Sequence, residues 1–314
     1  MGISIIARFA KNSFMTLMCK NTPVYDISKN QIINEALVPG AILRGMGFET
    51  WMRHRRSVLS NVMARRLFFN AFGYGTDERA ESLTHILSLS DCYWKKPDGE
   101  DMAFEQISPY YEPFWNGEGR YEGGAIPSLY TAGAVSKYWI DKDTLYKSGC
   151  AVELEIYALL KNLNIECCAI ASSGDNSGVL VKNFTDADTM LETAICSGRF
   201  GGTYFPTVDE VISAFGEPGI KMLVIDAITG NTDRHLENFG FLRSANTGEY
   251  LGMAPLYDFD HALEADGTDD FLLSNVPEHP ITFDICNSVT RMSVNKVFKM
   301  RARVILNKMG MPPD

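Results

Sequence analysis

The run GNTDRHLENFGF, residues 230–241, sets Asp233, Arg234, His235 and Asn238 on one short polar segment between a helical pattern and an apolar stretch. Upstream, EVISAFGEPGIKMLVIDAITG reads as helix; downstream, NFGFLRSANTGEYLGMAPLYDFD reads as two short strands around an Asn-Thr-Gly turn. A helix, a charged loop and a hairpin that delivers a further acid, Asp258, in YDFD leave few folds open. The hairpin fixes the distance from the loop to Asp258, which a floppy connection could not do.

That order of groups suits phosphoryl transfer: an acid, an asparagine five residues on, a hairpin, then a second acid. A base must accept the proton of an attacking hydroxyl, and hard oxygen ligands must hold Mg²⁺ against nucleotide phosphates. Asn238 offers a neutral carbonyl oxygen and Asp258 a charged one, while Asp233 shares the loop and can reach an acceptor. The plain alternative is a turn, with Arg234 and His235 bracing it or pairing with Asp226.

Composition narrows the setting. The chain has 314 residues, 46% of them hydrophobic, enough for one large core or two lobes. A formal net charge of −10 argues against a protein that wraps nucleic acid. Cys19, Cys92, Cys150, Cys167, Cys168, Cys196 and Cys286 form no C-x-x-C pair, so neither a disulfide framework nor a zinc site is expected. No apolar run reaches membrane-spanning length, and the basic residues early in the chain do not read as a leader, so a cytoplasmic protein without membrane association is expected.

Residues 1–125 read as short strands followed by helices in ETWMRHRRSVLSNVMARRLFFNAFG and ERAESLTHILSLS. The basic group Arg53, His54, Arg55, Arg56, with Arg65 and Arg66, reads as the wet face of a helix or a seat for an acidic partner. WNGEGRYEGGAIPS is the clearest break. Beyond it, LYTAGAVSKYWIDKDTLYKSG reads as two strands, VELEIYALLKNLN as a helix and ECCAIASSGDNSGVLVKNF as two further strands. From TDADTMLETA onward helices are expected to dominate, the hairpin excepted. A basic amphipathic helix runs from about Ser293 to Met309, with a solvated cationic face.

GNTDRHLENFGFL followed by APLYDFDHAL resembles the catalytic and metal-binding motifs of the HipA-like kinases, bacterial serine/threonine kinases distantly related to phosphoinositide kinases. LSLSDCYWKKP, AGAVSKYWI and LYKSG resemble segments of the variety without a separate partner-binding N-terminal domain; the first eighty residues match only loosely. The resemblance implies an α+β, two-lobed protein-kinase-like fold. Its small nucleotide-binding lobe would span 126–185, its helical catalytic lobe 186–314, and residues 1–125 would be an appended N-terminal segment.

The resemblance further implies that Asp233 is the catalytic base and that Asn238 and Asp258 bind Mg²⁺. Lys147 takes the place of the nucleotide lysine, with Lys137 as its competitor. Glu155 is expected to orient Lys147; Glu153 is the fallback, since residues two apart on a helix point about 200° apart. TAGAVSKY stands where a loop covers the phosphates, with Gly133 and Ala134 against the nucleotide, and Ser128, Thr131 or Ser136 as candidates for self-phosphorylation. Backbone groups of Val181 to Asn183 would meet adenine. His235 would hold the catalytic loop, and Asp260 and His261 would shape the metal site.

The expected activity is ATP- and Mg²⁺-dependent transfer to a serine or threonine of a protein substrate, with autophosphorylation and a small antitoxin-like partner as further implications of the resemblance. Two rival readings are a kinase for a lipid or small-molecule hydroxyl, because the loop does not name its acceptor, and a nucleotide-binding module without turnover.

Overall fold

A computed structural model describes residues 15–55, 85–111, 137–201, 204–263 and 275–311. The described residues form three antiparallel sheets and a set of helices. The N-terminal sheet contains β1 (Met15–Cys19), β2 (Thr22–Asp26), β3 (Gln31–Ile32) and β4 (Tyr93–Pro97) in the order β3-β2-β1-β4. Three short helices accompany it: α1 (Gly40–Leu43), α2 (Phe48–His54) and α3 (Phe104–Ile107). The long helix expected from ETWMRHRR onward is interrupted: α2 ends at His54 and Arg55 is extended, with ψ of 124°, and the rest of that expected helix lies outside the described residues. Residues 85–90 are turn and bend where helix was expected, with His85 and Ile86 at φ of 50° and 56°.

The second sheet follows the sequence pattern closely. It consists of β5 (Lys137–Asp141), β6 (Thr144–Ser148), β7 (Ile170–Ser172) and β8 (Gly178–Lys182) in the order β5-β6-β8-β7. Helix α4 (Ala151–Asn162) joins β6 to β7. Of its buried residues, Glu153, Ile156, Tyr157 and Leu160 recur at i, i+3, i+4 and i+7, with Leu159 beside them, so one stripe faces inward. Glu153 belongs to that stripe and Glu155 does not.

The third sheet corrects an expectation. TMLET forms β9 (Thr189–Thr193) rather than opening a helical region, and the order is β11-β10-β9 with β10 (Gly240–Ser244) and β11 (Tyr250–Met253). The carboxylate of Asp186 accepts from the backbone N–H of Asp188 and Thr189, forming the turn that launches the strand. Met190, Leu191, Glu192 and Thr193 are then all buried, so the strand lacks the alternation that marks a half-exposed one. The remaining helices are α5 (Ala194–Ser197), α6 (Val208–Phe215), α7 (Glu217–Thr229), α8 (Pro280–Arg291) and α9 (Lys296–Lys308). A capping box between Thr207 and Glu210 starts α6, and α7 is buried from Ile220 to Thr229 save for Lys221 and Leu223.

Two hydrophobic cores result. One joins α4 and β8 to α6, α7, α8 and α9; the other fills the N-terminal sheet and takes in Trp139, Met190, Cys196 and Ala245 from later in the chain. A buried polar network crosses the second junction. Arg243 Nη1 donates to Glu192 Oε1 at 3.0 Å and to the Val38 carbonyl at 2.9 Å, and its Nε donates to the Gly248 carbonyl at 2.8 Å. Glu192 Oε1 also accepts from the Gly40 N–H at 2.8 Å. Removing one partner strands a buried charge, so Arg243→Met is expected to lower unfolding stability by about 3–5 kcal/mol, measured by urea denaturation.

Arg55 belongs to the same region and is not a wet-face residue. Its Nε and Nη2 meet Asp91 at 2.7 Å each and it is buried, because the carbonyls of Ile86 and Tyr93 also need its donors. Arg53 is exposed, and Arg56, Arg65 and Arg66 lie outside the described residues. All seven cysteines are free thiols, as the lack of paired spacing implied.

Candidate active site

The strands of the second sheet set the site's cations. Lys137 on β5 and Lys147 on β6 are direct cross-strand partners, and both are buried. Like charges placed opposite each other destabilise a sheet unless something anionic lies between them. Asp258 is that group: its Oδ1 is 2.9 Å from Lys147 Nζ and 3.7 Å from Lys137 Nζ. The two lysines weighed as alternatives therefore share one site.

Lys147 is also held from α4, by Glu153. Its Nζ lies 3.0 Å from Glu153 Oε1 and 2.9 Å from Oε2, and that side chain is fully buried. Glu155 faces away and accepts from Asn295 Nδ2 at 3.0 Å, so its expected role beside Lys147 is corrected in favour of Glu153. The reason is helical phase: the first turn of α4 turns only one of the two toward β6. Burial pulls the Lys147 pKa down, but the charges of Asp258, Glu153 and Asp260 outweigh it and hold the ammonium above its ordinary value. Burial raises the Glu153 carboxyl, opposed by Lys147.

Glu153 also accepts from the backbone N–H of Phe259 at 2.9 Å, so α4, β6 and the YDFD segment close on one carboxylate. Asp258 has a φ of 62°, a left-handed conformation that a non-glycine residue adopts at a cost, and Asp tolerates it better than most. Asp260 faces the same lysine, at 3.9 Å.

The loop that carries Asp233 is built around Arg234. This guanidinium is buried; Nε and Nη2 meet the two oxygens of Asp226, on α7, at 2.9 and 3.0 Å. Its Nη1 donates to the carbonyls of Asn238 at 2.8 Å and Tyr257 at 2.7 Å, and the Phe259 ring lies against it with 4.6 Å from Cζ to the ring centroid. One nitrogen thus fastens the loop ending in Asn238 to the segment preceding Asp258. Asn231 Nδ2 adds a bond to Asp226 Oδ1 at 2.9 Å. Gly230 begins the loop at φ +68°, and a Cβ there would collide with the guanidinium of Arg301 from α9.

Asp233 itself is partly open, with 37% of its side chain exposed. Asn238 Nδ2 donates to the Asp233 carbonyl at 2.6 Å, turning the amide's nitrogen end into the loop. His235 Nε2 is 3.6 Å and His261 Nε2 is 4.0 Å from Asp233 Oδ2. His235 Nδ1 accepts from the Glu237 N–H at 3.2 Å, and the ring stacks on Tyr204 with centroids 4.5 Å apart, so the imidazole is fixed from two sides. His54 of α2 contacts Glu237 at 3.2 Å, bringing the N-terminal part of the chain to the loop.

Beside the lysines lies a cleft walled by Trp139, Leu145, Tyr157, Val181, Leu191 and Tyr257. Val181 lines it as expected, and so does Asn183, but the backbone N–H groups of Lys182 and Asn183 are already given to the carbonyls of Ala169 and Asp143. The next residue, Phe184, lines the same edge, and among the described residues its backbone N–H makes no hydrogen bond. Ser90, Trp139 and Leu191 could not be placed here from sequence, because they come from three distant segments and carry only apolar or small side chains. Gly133 and Ala134, with Ser128, Thr131 and Ser136, lie outside the described residues.

Asn238 and Asp258 each carry a hard oxygen donor of the kind Mg²⁺ takes when it completes its shell with phosphate and water, and Oδ1 of Asp258 is paired with the lysines. Among the described residues no group of three or more His, Cys, Asp or Glu side chains is arranged to hold a metal by itself, so a cation here would depend on such outside oxygens. No described helix is long and apolar enough to cross a membrane.

No family model matches the chain, and no curated protein matches it. Among solved structures it is similar to a chain of the Shewanella oneidensis MR-1 toxin–antitoxin system HipA, HipB and operator DNA complex, at 12% identity and a TM-score of 0.52, covering 96% of this chain and 92% of that one. It also matches the Helicobacter pylori proinflammatory kinase CtkA at 18% identity and a TM-score of 0.35, covering 56% of this chain and 89% of that one. The first likeness extends over nearly the whole chain and shows a fold shared with that chain.

Proposed function

We propose that the chain is an ATP- and Mg²⁺-dependent kinase that transfers the γ-phosphate to a serine or threonine hydroxyl of a protein. The observation that carries this reading is the meeting of two lysines on Asp258, with Glu153 holding one of them, Lys147, while Arg234 holds the Asp233–Asn238 loop against the same segment. Structural braces need no such convergence of buried cations on one carboxylate beside an apolar cleft.

In this reading adenine lies between Val181, Leu191 and Tyr257, with the Phe184 N–H as a donor at the cleft's edge. Lys137 and Lys147 bind the phosphates, and Glu153 keeps Lys147 pointed at them. Asn238 and Asp258 would hold Mg²⁺, which would supply positive charge beside the phosphates. Asp233 orients the acceptor hydroxyl and takes its proton as the oxygen bonds to the γ-phosphorus and the bond to ADP breaks. Arg234 and His235 keep the loop in shape and touch no reacting atom.

The test is label transfer from γ-³²P-ATP with Mg²⁺, to the chain itself and to a generic protein acceptor, with intact mass to detect an added phosphate. Wild type should acquire label. Glu153→Gln should reduce the rate by at least about tenfold, as expected for a residue that positions a catalytic group, whereas Glu155→Gln should not. Absence of transfer with either Mg²⁺ or Mn²⁺, together with intact ATP binding, would instead favour a nucleotide-binding module.

A further inference from the structure

The acceptor side of the site carries two exposed aromatic rings that the chemistry above does not use. Tyr204 is 46% and Phe205 48% exposed, among the few large apolar side chains on the described surface. Tyr204 lies face to face with His235, its ring inclined by 29°, and Phe205 meets Tyr204 edge-on at 5.4 Å. From Phe205 to Tyr204 to His235 to Asp233 the contacts are continuous. The backbone is held as well: the Tyr204 carbonyl accepts from the Leu236 N–H at 3.0 Å, and the capping box at Thr207 anchors the following helix.

Exposed aromatic rings on a braced backbone beside an open carboxylate offer apolar surface to whatever docks there. The charge around Asp233 narrows what that is. Its side-chain partners among the described residues are His235, His261 and Asn238, with no lysine or arginine. A phosphoinositide headgroup or sugar phosphate is normally received by lysine or arginine, and among the described residues none of these contacts the base.

We infer that Tyr204 and Phe205 form a shelf that selects the acceptor: a polypeptide in which an apolar or aromatic side chain stands next to the hydroxyl-bearing residue. This rests on the kinase reading and names the substrate class for the same site. The shelf buries the neighbouring side chain, and Tyr204, through its stack on His235, sets where the acceptor hydroxyl lies relative to Asp233.

The experiment uses the full chain with γ-³²P-ATP, Mg²⁺ and a library of serine-centred peptides in which each flanking position is held in turn as Phe, Leu, Gly, Asp or Arg. Phosphoinositide-containing vesicles form a second arm. Wild type should favour Phe or Leu at one flanking position by about fivefold or more in kcat/KM, the gain lying in peptide KM and not in the KM for ATP. Phe205→Ala and Tyr204→Ala should erase that preference, and Phe205→Arg should move it toward Asp. Asp233→Ala separates the two levels. If it labels peptides as fast as wild type, the kinase assignment of the base fails and this inference with it. If it is inactive but the flanking preference is absent, or is unchanged in the shelf variants, the shelf alone is wrong. Faster labelling of the vesicles than of any peptide would equally overturn it.

Discussion

Asp233→Ala is expected to lower γ-phosphate transfer by about 10²–10⁴-fold, the usual contribution of a positioned general base, while ATP binding survives. The reason is spatial separation. The groups assigned to the nucleotide, Lys137, Lys147 and Asp258, are bound to one another and to Glu153, and none of those contacts passes through Asp233. The Asp233 side chain is joined instead to His235, His261 and Asn238. ATP binding followed by thermal shift, beside a label-transfer rate, resolves the two effects. Transfer at the wild-type rate would remove Asp233 from the reaction; loss of nucleotide binding would mean the loop also shapes the cleft.

Arg234→Met should be the most damaging single change to the fold around the site. It leaves Asp226 as an unpaired buried carboxylate and takes the donor from the Asn238 and Tyr257 carbonyls. Breaking a buried pair from one side costs about 3–5 kcal/mol, a large share of a typical domain's stability of about 5–15 kcal/mol. Urea denaturation should show this loss, and phosphate transfer should fall even under conditions where the variant is folded, because Asn238 and Asp258 lose their common tie. Replacing Asp226 and Arg234 together by apolar residues should recover much of the stability but not the activity. If the double variant were fully active, the brace would be dispensable for chemistry.

Much of the site was legible because its groups are close in sequence or carry unmistakable chemistry. Asp233 and Asn238 sit on one loop, Asp258 follows a hairpin, and each element there has its own turn signal. The Asp226 pairing of Arg234 was readable as well, since Asp226 lies near the end of the preceding helix. Glu153 against Glu155 was decided by the phase of α4, and that phase depends on which face meets β6. β9 was missed because a strand buried on both sides shows no alternation, and Arg55 because a basic run looks the same whether wet or buried. The apolar walls of the cleft, Trp139, Leu191 and Tyr257, have no pattern of their own.

The amino-acid sequence alone therefore determined the polar groups and their order along the chain: two lysines, then the loop with Asp233 and Asn238, then Asp258. Local spacing conveys that kind of information, since a loop and a hairpin fix distances over a few residues. Tertiary structure decided which glutamate pairs with Lys147 and that both lysines meet Asp258, and it placed His54 and the Tyr204–Phe205 pair beside the Asp233–Asn238 loop. Those choices depend on packing between segments far apart in the chain, where burial and charge pairing, rather than any local signal, select the partner.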